Sequence, residues 1–218
     1  MANSSSVPVK DWIMVPALIT LLVTILRLVG ELMEWSSTFF KRDAGGGGSL
    51  IGIVWLVPIF GIYFGWKLVK SGYPLPGAGK VIGMYLLILL GAVGVIYLAT
   101  TLAPVTFQQF SVASMILAGI VCAIAVYLAQ KPWPELGSVL FNYALAARIP
   151  VVVVMLIAMY ANWGTHYDVV PDPAYLEYGL FTKWVIIGVV PQLTLWVFFT
   201  MIFGGIFATV AAALARQK

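Results

Sequence analysis

The sequence predicts an all-α, polytopic integral membrane protein, a bundle of six transmembrane helices. Two observations favour this fold class. The 218 residues are 62% hydrophobic and only 9% charged, whereas a soluble domain of this size carries about a quarter charged residues. Six apolar segments are also each close to the ~20 residues that cross ~30 Å of hydrocarbon, and no polar stretch is long enough to form a separate soluble domain.

Polar, glycine-containing and proline-containing stretches divide the chain into its elements. We expect a short disordered lead over 1–10 and a single transmembrane helical domain over 11–216. The predicted spans are residues 11–35, 50–69, 81–102, 111–130, 138–161 and 182–205. Because the helical pattern of the sixth span continues to Arg216, a straight helix would exceed the bilayer. Pro191 is therefore expected to kink it, or its end to project into the cytoplasm.

Glycines in the second and third spans predict close helix contacts. Gly61 and Gly65 are four residues apart, so they lie on one helical face and let a neighbouring backbone approach. The third span contains Gly83, Gly91 and Gly94, for which we make the same prediction.

The lysines and arginines near the span ends predict cytoplasmic N- and C-termini. With both termini inside, the inner loops hold seven basic residues and the outer loops three, which follows the positive-inside rule. The inner residues are Lys10, Lys67, Lys70, Lys80, Lys131, Arg216 and Lys218, and the outer ones are Lys41, Arg42 and Lys183. Because these residues form no contiguous patch, we expect no nucleic acid as a partner. The apolar spans instead predict a lipid bilayer, the cell's inner membrane, as the partner.

A polar stripe runs along the first span. Thr20, Thr24, Arg27, Glu31 and Glu34 are spaced four, three, four and three apart, which places them on one side of a helix. A charge that faces lipid costs several kcal/mol. We therefore expect this stripe to face protein, water or a bound molecule, with the two threonines bonded to carbonyls of their own helix.

Arg148 lies near the middle of the fifth span, where an unpaired arginine costs about 3 kcal/mol. Its candidate partners are Glu31 and Glu34. An ion pair between Arg148 and Glu31 is expected, with Arg27 paired to either glutamate. Such a neutral cluster could tie helices together, or it could bind an anion or a lipid headgroup.

Prolines stand beside polar residues in two spans. Pro150 follows Arg148 by two residues, and Gln192 follows Pro191 in the sixth span. A proline frees a backbone carbonyl inside a helix. Two proline-broken helices beside buried charge are similar, at the level of physics, to the way transporters build sites near the midplane.

Enzymatic and metal-binding functions receive little support. His166, the single histidine, has Asp168 and Asp172 as neighbours, but the glycine and prolines of this segment favour a structured turn over a metal site. The predicted spans contain no histidine and no close aspartate pair. We expect no catalytic residue, metal or cofactor.

Two functions remain open. The first is a transporter- or channel-like protein that binds a small solute, an ion or a lipid headgroup, in particular a small anion. Its site would contain Arg27, Glu31, Glu34, Arg148 and Gln192. The second is a non-enzymatic structural or accessory subunit of a membrane complex or homo-oligomer, in which these charges tie helices together. A cavity that reaches the charges favours the first function, whereas a filled core with exposed small-residue faces favours the second.

Overall fold

The computed structural model describes residues 7–46, 48–106 and 111–216, and it confirms the all-α membrane fold with six spans. The spans begin and end close to the predicted positions, except that the sixth continues to Arg216. They are α1 (Val9–Leu32), Ile53–Lys70 with α2 (Leu56–Lys70), α3 (Ala78–Leu102), α4 (Val112–Ala129), α5 (Pro134–Ala161) and Leu180–Arg216.

The N-terminal segment is described only from residue 7, so most of the predicted lead lies outside the described residues. Helix α1 begins at Val9, two residues before the predicted start of the first span. Asp11 consequently falls in the first turn of the helix, where a negative charge interacts favourably with the helix dipole.

The sixth span is an interrupted helix. It consists of α6 (Leu180–Lys183), a π-helical segment (Trp184–Val189), α7 (Val190–Leu193) and α8 (Leu195–Arg216). Pro191 lies in the first turn of α7, and Thr194 between α7 and α8 departs from helical geometry with φ −118° and ψ −71°. The helix thus departs from regular α-helical structure on both sides of Pro191, where a kink was expected.

The two ends of the bundle can be told apart from contacts between chain segments. At one end, Trp12 of α1 packs against Tyr73, and Arg216 of α8 donates a hydrogen bond to the Leu75 carbonyl. We call this the terminal end. The opposite end, which we call the distal end, is formed by residues 33–46, 48–52 and 162–179.

Helix α8 is the centre of the bundle, and its closest neighbour is α2. A Cβ atom on Gly61 would lie 2.6 Å from the carbonyl oxygen of Gly204, and one on Gly65 would overlap the backbone of Ala208. The two backbones therefore touch, which confirms the close contact predicted from this glycine pair.

The glycines of α3 behave differently from those of α2. A Cβ atom built on Gly83, Gly91 or Gly94 meets nothing within 4 Å. The predicted close approach at these positions is wrong, because α3 turns this face away from its neighbours α4 and α8. Residue spacing alone does not distinguish an outward face from an inward one.

Replacing Gly65 with alanine should destabilise the protein, because the new methyl group would force α2 away from α8. Overpacking of this kind costs about 1–3 kcal/mol, and each kcal/mol lowers Tm by about 2–4 °C in a chain of this size. Thermal unfolding of purified protein measures the effect. Gly91→Ala is the control, since its methyl group enters open space and favours helix. Equal Tm values for the two variants would contradict the proposed packing.

Candidate functional site

The polar stripe of α1 faces the protein interior over four of its five residues. Thr20, Thr24, Arg27 and Glu31 are all buried. Each threonine donates to a carbonyl one turn earlier in its own helix, as predicted, and Thr20 also shares a 2.9 Å hydrogen bond with the Tyr143 hydroxyl of α5. The stripe therefore faces α5 at Thr20 and the distal loops at Arg27 and Glu31.

Glu34, the fifth residue of the stripe, lies outside this interface. Helix α1 ends at Leu32, and Glu34 adopts a positive φ of 56°. This backbone turn directs the Glu34 side chain outward, where it is 77% exposed and 3.4 Å from Arg42. Helical periodicity no longer predicts the direction in which a side chain points once the helix has ended.

Glu31 is completely buried and accepts hydrogen bonds from two separate parts of the chain. Arg27 Nε donates to Oε1 at 2.8 Å. His166 contributes its backbone N–H to Oε2 at 2.8 Å and its Nδ1 to Oε1 at 2.5 Å. The Arg42 guanidinium donates to the Glu31 backbone carbonyl. This single carboxylate fixes the loop 162–179 to the distal end of α1.

His166 is the site residue that sequence reasoning missed, because it lies in a loop outside the spans. A signal for it existed: Glu31 needs donors near the distal end, and the chain has one histidine. The two loop aspartates cap turns instead of joining a metal site. Asp168 accepts from the backbone N–H groups of Gly164 and Thr165, and Asp172 accepts from Ala174.

Burial lowers the pKa of His166 below the ordinary value of 6.5, and the positive charge of Arg27 lowers it further. The hydrogen bond to Glu31 acts in the opposite direction but is the smaller effect. The imidazole is therefore neutral near pH 7, which requires the tautomer with hydrogen on Nδ1 for donation to Glu31. The negative charge of the Glu31 carboxylate is then balanced by one full positive charge, that of Arg27.

Arg148 of α5 has a different environment. Its side chain is buried, with the residue 4% exposed. Nη1 donates to Gln192 Oε1 at 3.3 Å, and the guanidinium lies 4.7 Å over the Trp196 ring. The buried Nε has no hydrogen-bond partner. Within the part of the chain that the structure describes, no carboxylate oxygen lies within 4.0 Å of this guanidinium.

The expected ion pair between Arg148 and Glu31 is therefore absent, and helix geometry explains why. The contact between Thr20 and Tyr143 sets the relative height of α1 and α5. At 1.5 Å per residue, Glu31 then lies about 9 Å closer to the distal end than Arg148. Arg27 differs from Arg148 by only about 3 Å, so the two arginines occupy similar depths on facing helices.

A cavity of about 540 Å³ is lined by both of these arginines. Its walls come from α1, α5, the interrupted sixth span and the distal loops. Arg27, Arg148 and Gln192 line it, whereas Glu31 and Glu34 do not. Most of the remaining wall is apolar, and it includes Val23, Leu50, Ile53, Val54, Trp55, Met115, Val151, Met155, Ile187, Pro191, Leu195 and Trp196.

The two prolines contribute unequally to this cavity. Helix α5 continues through Pro150 without a break, so only one of the two helices expected to be broken is interrupted. In the sixth span, the π-helical segment and α7 place Ile187, Pro191 and Gln192 on the cavity wall. The Trp184 indole N–H anchors this segment to the Val152 carbonyl of α5 at 2.9 Å. Such π-helical segments occur frequently at functional sites.

Acidification should destabilise the folded protein through His166. Below about pH 6.5 the unfolded chain takes up a proton on His166, whereas the folded chain keeps the imidazole neutral. Protonation therefore favours the unfolded state, and the free energy of unfolding decreases as the pH falls below this value. We expect Tm to fall between about pH 7 and about pH 5.5. The groups facing the imidazole are Glu31, Arg27 and Asp168.

His166→Gln is the control for this measurement, because an amide can still donate to Glu31 but does not titrate. Its Tm should fall less over the same pH range. Parallel Tm curves for the variant and the unaltered protein would show that His166 is not the titrating group.

No known protein family, curated protein or solved structure matches this chain. What the residues establish by themselves is an integral membrane protein of six helical spans, in contact with a lipid bilayer.

Proposed function

We propose that this chain is a transporter- or channel-like protein of the inner membrane, and that its cavity binds a small anionic solute or an anionic lipid headgroup. The observation that carries the proposal is Arg148. Its guanidinium lies buried on the wall of a cavity of about 540 Å³, and its partners among the described residues are a neutral amide and an aromatic ring.

The two arginines differ in how their charges are compensated. The charge of Arg27 is balanced by Glu31 at 2.8 Å. The charge of Arg148 has no carboxylate nearby, and removing an uncompensated charge from water costs several kcal/mol. A bound anion offsets that cost, because charge-assisted hydrogen bonds to a guanidinium are about twice as strong as neutral ones. The cavity is thus best suited to a negatively charged ligand.

Each remaining polar residue has a defined part in the proposed site. Arg148 is the anchor for the anion, and Gln192 orients its guanidinium. Arg27, on α1, supplies a second positive group to the cavity lining. Glu31 acts from behind the wall by holding Arg27 and His166 in place. Glu34 is exposed at the distal surface, so we leave it outside the binding set.

The distribution of basic residues supports an orientation for this site. With cytoplasmic termini, the distal end faces away from the cytoplasm. Arg27 and the distal loops then place the cavity in the outer half of the membrane. Transport of the anion towards the cytoplasm would require the cavity to open at the terminal end, and the interrupted sixth span is the element we propose for that movement.

The second candidate, an accessory subunit or homo-oligomer, draws support from α3. Its glycines face outward with open space around them, and small residues on an outward face allow another helix to approach closely. Under this second proposal, the polar cluster serves only to hold α1, α5 and the distal loop together.

Anion binding by Arg148 can be tested on purified protein in detergent. Chloride, phosphate, acetate and short-chain carboxylates are added singly, and Tm is recorded for each. We expect at least one of them to raise the Tm of the unaltered protein and of Lys70→Gln, which removes one positive charge from an exposed position. Arg148→Gln should abolish the increase, because it removes the proposed anchor.

Flux through proteoliposomes then separates transport from binding. The stabilising anion should cross membranes that contain the unaltered protein or Lys70→Gln, but not membranes that contain Arg148→Gln. If no anion changes Tm, and Arg148→Gln only lowers the Tm of the unliganded protein, the structural role is correct and the transport proposal fails.

A further inference from the structure

We infer that the ligand of this cavity is an amphiphilic anion, that is, one acidic group attached to an apolar body of about eight carbon atoms or more. This inference rests on the proposed function, since it takes the same cavity to be a binding site. It goes further by assigning the chemical class of the ligand from the arrangement of charge and apolar wall.

The charged end of the site is formed by the Arg148 guanidinium and its neighbours. Arg148 uses one N–H to bind Gln192, and its buried Nε remains without a partner. The Trp196 ring covers one face of the guanidinium at 4.7 Å. The Trp196 ring closes that face to an acidic group. Along the edge of the guanidinium, a carboxylate or phosphate oxygen accepts hydrogen bonds in the plane of the N–H donors.

The wall beyond Arg148 is apolar along α5. Val151 and Met155 follow Arg148 by three and seven residues, so they lie on the same helical face, and both line the cavity. At 1.5 Å per residue this strip extends about 10 Å from the guanidinium towards the distal end. An extended chain of about eight carbon atoms spans a similar length.

Apolar residues from other elements complete the same compartment. Ile187 of the π-helical segment and Leu195 at the start of α8 line the cavity, as do the three residues Ile53–Trp55 at the start of the second span. A volume of about 540 Å³ falls in the range of pockets that enclose drug-sized ligands. A chloride or phosphate ion would fill only a small part of it.

Two other ligand classes fit the cavity less well. A neutral apolar molecule would leave the Arg148 charge uncompensated, which is unfavourable at this depth. The polar lining residues other than Arg27, Arg148 and Gln192 are Thr24, Ser49, His166 and Tyr167. A hydrophilic anion, such as a sugar phosphate, would still place many of its hydroxyl groups against the valine, isoleucine and methionine side chains that form much of the wall. An anion with an apolar body satisfies both parts of the wall.

Four probes that vary charge and chain length separately test the inference: octanoate, acetate, 1-octanol and octylamine. Binding is measured by Tm shift and by titration calorimetry, in the same detergent throughout. We expect octanoate to bind at least tenfold more tightly than each of the other three. The probes are compared on the unaltered protein, so this ranking does not depend on the folding of any variant.

Three variants separate the contributions of charge and apolar wall. Arg148→Gln should abolish the preference for octanoate over 1-octanol. Met155→Gln, which keeps the side-chain length but adds a polar amide, should weaken octanoate binding at least threefold while acetate binding stays unchanged. Lys70 lies away from the cavity, so Lys70→Gln should bind all four probes as the unaltered protein does. This variant is the control for probe molecules that partition into the detergent.

The source of the ligand is tested by native mass spectrometry after exposure to phosphatidylglycerol or phosphatidylcholine. Retention of phosphatidylglycerol alone, lost in Arg148→Gln, identifies a membrane lipid as the ligand. Octanoate binding without lipid retention identifies a soluble carboxylate. Either result supports an amphiphilic anion.

The remaining outcomes distinguish the inference from the proposal beneath it. If acetate binds as tightly as octanoate and the binding requires Arg148, the amphiphile inference is overturned while the anion site stands. If 1-octanol binds as tightly as octanoate, both the inference and the proposed anion site are wrong. If none of the four probes binds, the inference is wrong, and the anion site is also wrong if chloride and phosphate leave Tm unchanged.

Discussion

The buried carboxylate of Glu31 is the constraint on which the distal half of this protein depends. A charged group with no solvent contact needs donors from the protein, because its lost hydration would otherwise cost several kcal/mol. Arg27 and His166 supply those donors. Since His166 comes from the loop 162–179, satisfying this one charge also decides where that loop lies, and the loop forms part of the cavity wall.

The engagement of Glu31 has a consequence for Arg148. The carboxylate that could have neutralised Arg148 is already occupied by Arg27 and His166, about 9 Å further along the bundle. Arg148 is left with Gln192 and Trp196, two partners that stabilise a cation without cancelling its charge. The cavity is therefore lined by two arginines at similar depths, of which Arg27 is paired with a carboxylate and Arg148 is not.

Packing divides the bundle into two halves with different properties. Towards the terminal end, large side chains are fully buried around α8, among them Phe64, Leu68, Tyr85, Trp133 and Leu136. The glycine contact between α2 and α8 belongs to this filled region. Towards the distal end the sixth span is interrupted and a cavity remains. One half of the bundle is thus closely packed, and in the other half a helix is interrupted beside a cavity. This arrangement suits a binding site whose walls must move, as the transport proposal requires.

The sequence by itself determined the membrane class, the number of spans and the inward direction of the α1 stripe, because these depend on hydrophobicity and helical period, which are local properties. It also indicated the contact made by Gly61 and Gly65. Only the tertiary structure decided the outward direction of the α3 glycines, the displacement of Glu34 after α1 ends, and the choice of His166 rather than Arg148 as the partner of Glu31. These features depend on the relative height of helices and on loop paths, which are set by side chains distant in sequence and carry no periodic signal.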